Sequence, residues 1–104
     1  MRVIAWKTLR IFSDHHPQAS EALRAWYTLV QHAAWKTPAD VRKTFNSADF
    51  VGSRVVFDIK GNRYRLVADV DYRRSLVFIL WVGTHTEYDR INVRTVTYEP
   101  PRQR

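Results

Sequence analysis

The stretch VGTHTEYD, residues 82–89, crowds a histidine, a glutamate, a tyrosine and an aspartate behind an apolar run. Histidine is the side chain most used for proton transfer near neutral pH, so His85 is the first candidate for general acid–base chemistry. Thr84 followed three residues later by Glu87 is the pattern of a capping box, which predicts a helix starting here. That pattern accounts for Thr84 and Glu87 and leaves His85 unexplained. Tyr88 and Asp89 fall three and four residues on, on the same side of such a helix, where Asp89 can orient the imidazole. A lone histidine at a helix start is ordinarily a surface residue, so a site role for it needs a second, independent group.

Cations supply that second group. RVVFDI (54–59), KGNR and YRLVADVD (64–71) read as a β-hairpin with Gly61-Asn62 as its two-residue turn. In that register Asp58 faces Arg65, Val56 faces Val67, Arg54 faces Asp69, and Lys60 lies opposite Arg63. Ile59, Phe57 and Val55 meet Tyr64, Leu66 and Ala68 on the other side. A slip of one residue would destroy the sorting into an apolar core face and a face carrying Asp58, Lys60, Arg63 and Arg65. Two readings of the polar face stand. It is a solvated surface with cross-strand ion pairs such as Asp58–Arg65, or it is a cationic shelf for a phosphate backbone. Arg73, in the DYRRS turn, is a further candidate phosphate contact.

The elements that position these groups follow from the pattern. RVIAW (2–6) predicts a short strand, and KTLRIFSDHH a short helix with Leu9 and Phe12 inward. Pro17 suits a first helical residue. Ala19, Leu23, Trp26, Val30 and Ala33 then recur at helical spacing, predicting the main helix over about 17–33. Thr37, Pro38 and Asp40 predict the start of another short helix ending near Phe45. Residues 46–53 read as loop. LVFILWV (76–82) is apolar on both faces, as a central strand requires.

Composition bounds the answer. The 104 residues suffice for one domain over 1–104, with no repeat or linker, and 45% are hydrophobic. There are no cysteines, which excludes a disulfide scaffold and a thiolate zinc site. The four histidines show no metal-ligand spacing, and there is no glycine-rich phosphate loop or serine nucleophile motif, so neither metal nor cofactor is expected. The four tryptophans read as core or interface. No stretch approaches a membrane span, and the N-terminus lacks the form of a signal peptide, so a cytoplasmic protein is expected. Lys and Arg number 17 against 10 acids, a net charge of +7, spread through the chain and weighted towards arginine. Arginine's planar fork favours phosphate, so nucleic acid is a candidate partner beside a merely basic surface.

The combination F-D-I-K-G-N-R-Y-R-L-V, its spacing to V-G-T-H-T-E-Y-D, and W-K-T-P-A-D-V upstream resembles HigB-type toxins of the RelE superfamily. The resemblance covers roughly residues 1–92 and leaves the tail from residue 93 outside it. It implies an α+β fold, a small twisted antiparallel sheet with N-terminal helices on one face. It implies a toxin of a type II toxin–antitoxin system, an endoribonuclease that cuts mRNA, typically on the ribosome. The chemistry implied is metal-independent attack of a ribose 2′-hydroxyl on the adjacent phosphate. Partners implied are a HigA-type helix-turn-helix antitoxin, mRNA and the ribosome, with operator DNA met only through the antitoxin. Lys60, Arg65 and His85 match positions that carry catalytic or phosphate-binding side chains in such toxins, with Tyr88 and Arg63 as further candidates. Asp58 departs from the pattern, since these toxins more often carry Asn there. Two alternatives stay open: a non-catalytic RNA-binding module on the same shelf, and an inactivated toxin kept as a co-repressor partner.

Overall fold

The structure is a computed structural model and describes residues 1–98. Its centre is the hairpin of β3 (Arg54–Ile59) and β4 (Tyr64–Asp71). The register is the expected one throughout: Arg54 opposite Asp69, Val56 opposite Val67, Asp58 opposite Arg65 and Ile59 opposite Tyr64. β5 (Leu76–Thr84) pairs antiparallel with β4 and occupies an interior position, which explains its two apolar faces. A bulge between Val67 and Ala68 sets Trp81 opposite Val67 and Ile79 opposite Ala68.

Two strands differ from expectation. β1 covers only Arg2–Ile4, and it joins β5 in parallel, so the sheet is mixed rather than purely antiparallel. Residues 46–53 are not all loop. Asp49–Val51 forms β2, antiparallel to β3, and completes the order β1-β5-β4-β3-β2. Gly52, at φ +60°, supplies the left-handed residue of the tight β2–β3 turn.

Helices cover one face. α1 (Trp6–His15) buries Leu9 and Phe12, as its spacing predicts. A 3-10 turn at Pro17–Ala19 leads into α2 (Ser20–His32), which buries Leu23, Trp26 and Val30. The proline therefore opens a separate tight turn ahead of the α-helix. α3 (Pro38–Thr44) is capped by Thr37 and Asp40 acting reciprocally. Against these helices the sheet presents Val55, Phe57, Ile59, Tyr64, Leu66, Val77 and Val82. Trp26, Trp35, Phe45 and Phe57 interlock in the middle with ring centroids 5.3–6.4 Å apart.

The opposite face is not simply solvated. Val56, Val67 and Trp81 are buried there, packed by Val51, Tyr88, Ile91, Val93, Val96 and Tyr98. Residues beyond α4 (His85–Tyr88) thus form a strap over the middle of the sheet. Arg54 fastens it, its Nη1 donating to the carbonyls of Val93 (2.9 Å) and Val96 (2.6 Å). The amide of Tyr98 donates to the Leu80 carbonyl at 2.7 Å. Of the polar face that hairpin alternation predicts, the strap covers the middle, at Val56 and Val67, and leaves open the end near the β3–β4 turn.

Candidate active site

The site grows from the junction of β5 and α4. Gly83 lies beside Trp81, and a β-carbon there would overlap the indole ring, so glycine permits the close approach. The next two residues turn the chain. Thr84 Oγ1 accepts the amide of Glu87 at 3.1 Å, while Glu87 Oε1 accepts the amide of Thr84 at 2.8 Å. This is the expected capping box, closing a single helical turn. His85 opens that turn. Its amide donates to the carbonyl of Arg63 at 2.8 Å, tying α4 to the hairpin end. Its Nε2 lies 3.5 Å from Oδ2 of Asp89, the residue expected beside it, and the imidazole is half exposed.

Arg65 stands next to this turn on β4, opposite Gly83. Three partners fix its guanidinium. Nε is 3.2 Å from Asp58 Oδ1, Nη1 donates to the Asn62 carbonyl at 2.7 Å, and the group lies 5.5 Å from the centre of the Tyr88 ring. The Arg65 side chain is only 15% exposed, so it is held in place before any ligand arrives. Tyr88 packs in turn on Trp81, with ring centroids 6.3 Å apart. Burial raises the Tyr88 hydroxyl above the ordinary tyrosine range, the Asp49 carboxylate adds to the rise, and Arg65 opposes it. The phenol therefore stays protonated at every physiological pH. Arg65, Tyr88, Asp58, Asp49 and Ser47 line a cleft of about 370 Å³.

The sequence-derived candidates divide. Tyr88 and Arg65 come together in this cleft, and His85 lies at the same end of the sheet but does not line it. Arg63 is at the same end, exposed in the turn, and contributes its backbone carbonyl to His85. Lys60 lies opposite Arg63 across the turn as expected, the Arg63 amide donating to its carbonyl at 3.3 Å, but its side chain leaves the polar face. Its backbone is left-handed (φ 54°) and its Nζ donates to the Gln18 carbonyl at 3.2 Å, towards the helical side. Arg73 sits in the exposed turn between β4 and β5, at the far end of an eight-residue strand. That separates it from Arg63 by ~25 Å, given ~3.3 Å per strand residue. Asp49 and Ser47 escaped the sequence reading because β2 did. The signal was the pair Gly52-Ser53 between two short β-rich runs.

The arrangement defines a class: a basic α+β protein whose sheet end carries a pre-oriented guanidinium against a protonated phenol, with a half-exposed imidazole on the adjoining helical turn. Residues 19–91 match the HigB_toxin family, described as a RelE-like toxic component of a toxin-antitoxin system. The chain is 30% identical over 92 residues to the mRNA interferase toxin HigB of Escherichia coli strain K12, covering 86% of this chain and 88% of that protein. It matches the mRNA interferase HigB of Shigella flexneri to the same extent. To the mRNA interferase HigB of Escherichia coli O6:H1 it is 24% identical over 94 residues, 88% of this chain and 91% of the relative. The chain belongs to the HigB toxin family. As the toxic component of a toxin–antitoxin system it has an antitoxin as its partner.

Proposed function

We propose that this protein is an mRNA interferase that cuts ribosome-bound mRNA, with His85, Arg65 and Tyr88 as its working groups. Endoribonuclease activity is the activity for which its curated relatives are named. The observation that carries the assignment of residues is the fixed guanidinium of Arg65 between Asp58 and Tyr88, beside the turn that presents His85.

The chemistry follows from RNA itself. The 2′-hydroxyl oxygen attacks the adjacent phosphorus, the bond to the 5′-oxygen breaks, and the products are a 2′,3′-cyclic phosphate and a 5′-hydroxyl. The attacking hydroxyl must lose a proton and the leaving oxygen must gain one. His85, oriented by Asp89, accepts the first proton. Tyr88, kept protonated by burial and nearby carboxylates, provides the second. Arg65 stabilises the charge that develops on the phosphorane oxygens, and costs little reorganisation because it is already held. Lys60 is a less suited proton donor here, since it reaches Gln18 instead. Arg63, exposed in the turn, serves a flanking phosphate, and Arg73, at the far end of β4, one several nucleotides along.

The antitoxin in this reading is of the HigA type, a helix-turn-helix protein through which operator DNA is met, and the complex resides in the cytoplasm. No helix among the described residues is long and apolar enough to cross a membrane. The test is expression of the chain in bacteria with and without the neighbouring antitoxin, following growth and mapping mRNA 5′ ends. New 5′-hydroxyl ends within translated codons, suppressed by the antitoxin, are the expected result. Growth arrest with intact mRNA, or cleavage that persists without ribosomes at the same rate, would refute it.

A further inference from the structure

A second cleft, of about 330 Å³, opens on the other side of α4. Its walls are the end of α1, with His15 and His16; Trp81 of β5; Glu87 of α4; and Thr97 and Tyr98 of the strap. We infer that it is a second nucleotide subsite, taking a base that carries an exocyclic amino group. This rests on the RNA-cleaving reading above, and the base belongs to a nucleotide beside the one that Arg65 and His85 engage.

Contiguity is the first argument. Glu87 belongs to the same helical turn as His85, and its Oε1 closes the cap through the Thr84 amide. The His16 ring lies 6.0 Å from that of Tyr64, and Tyr64 is the strand partner of Thr84. A strand whose phosphate meets Arg65 therefore passes this cleft within one nucleotide or two.

The chemistry of the walls selects the occupant. Trp81 is buried, so the aromatic surface at the opening comes from the half-buried rings of Tyr98 and His16, the latter stacked on Phe12 at 4.3 Å and 21°. Such surface suits a base, since every base offers a π-face. Both donors and acceptors are present. Glu87 engages only Oε1 in its cap among the described residues, so Oε2 remains to accept from an amino group. His15 uses Nδ1 on the Ile11 carbonyl at 3.1 Å, leaving Nε2 towards solvent. A free anion fits poorly against the Glu87 carboxylate, and an aliphatic ligand would strand the imidazoles. Uracil lacks an exocyclic amino group, so adenine, cytosine and guanine are favoured over it.

The experiment uses the whole chain, labelled with ¹⁵N, and short oligoribonucleotides whose 2′-oxygens are methylated so that they cannot be cut. Oligo-A is expected to shift the amides of Thr97 and Tyr98 together with those of Arg65 and Tyr88. Oligo-U is expected to shift only the second pair and to bind more weakly, on the order of tenfold for one lost base stack. His15→Ala, an exposed change, and His16→Leu, which keeps a packing group on Phe12, should each bring oligo-A towards the oligo-U affinity. Shifts at Arg65 and Tyr88 without any at Thr97 and Tyr98, or equal affinity for the two oligonucleotides, would overturn the subsite and leave the RNA-cleaving reading intact. Shifts at the cleft that appear only when antitoxin is added would overturn it too, marking a protein-docking surface. No shift at either cleft would overturn the subsite, while the RNA-cleaving reading is decided by the mapping of mRNA 5′ ends described above.

Discussion

His85→Gln separates chemistry from architecture, because the structure allows the cost of each to be worked out. The cap of α4 consists of the Thr84–Glu87 pair, at 3.1 and 2.8 Å, and involves no atom of the His85 side chain. The bond from the His85 amide to the Arg63 carbonyl is a main-chain bond and survives the change. What is lost is the contact with Asp89 at 3.5 Å, between side chains 48% and 61% exposed. Exposed pairs of this kind contribute about 0–1 kcal/mol, and a glutamine restores part of the hydrogen bonding. For a chain of this size that is a melting shift of no more than about 5 °C. Loss of a positioned proton-transfer group costs on the order of a hundredfold in rate, or about 2.7 kcal/mol of barrier. Single-turnover cleavage on programmed ribosomes, a ribosome-binding assay and a melting curve measure the three quantities. Cleavage should fall at least a hundredfold while binding and melting hardly move. Wild-type cleavage with unchanged melting would show that His85 is only a surface residue in a helix cap. Collapse of the fold would refute the independence of the cap from the imidazole.

Other perturbations probe the supports of the site. Arg65→Ala should lower the slope of log affinity against log salt by about one and weaken RNA binding, read by titrations at several ionic strengths; an unchanged slope refutes its phosphate role. Gly83→Ala drives a β-carbon into the Trp81 ring and should destabilise the fold by about 1–3 kcal/mol, read from the urea midpoint; a neutral effect would mean that Trp81 can move aside. Arg54→Ala removes both bonds to the strap and should cost about 2–3 kcal/mol, with faster hydrogen exchange at the Tyr98 amide as its local signature. Tyr88 has its folded pKa raised, so its neutral form contributes stability that is complete below its unfolded value of 10.0 and is lost as pH climbs through the folded value. An ultraviolet titration should therefore lose one late-ionising tyrosine in Tyr88→Phe, and cleavage by the wild type should hold on the alkaline side to beyond pH 10.

Local rules carried much of this architecture. The β3–β4 register is legible because Val55, Phe57, Ile59 and their partners must all face one way, and a slip would expose every one of them. The two capping boxes are legible because each is complete within four residues. The failures have two sources. β2 is signalled locally by Gly52-Ser53 but is only three residues long, whereas nothing in Arg2–Ile4 says that its partner is a parallel stretch far along the chain. Val56 and Val67 look like the apolar members of a solvated face until residues 88–98 are known to fold back over them. Strand alternation puts Lys60 on the shelf. Its left-handed backbone takes it out of that alternation, and a carbonyl on the preceding 3-10 turn holds it elsewhere. The positions of His85 and Arg65 at one end of the sheet are legible because both lie where short-range signals fix the chain.

The pairing of β1 with β5 has a consequence for how the molecule comes into being. Val3 finds its place beside Val77, so the earliest strand waits for the latest. At ~5–20 residues per second, roughly 4–15 s of synthesis separates the two. During that interval the growing polypeptide has neither the interior strand of its sheet nor the turn that bears His85, and long-range closures of this kind form slowly. On the RNA-cleaving reading proposed above, a nascent chain that still lacks β5 and α4 cannot cut, and competence follows only once both have been made.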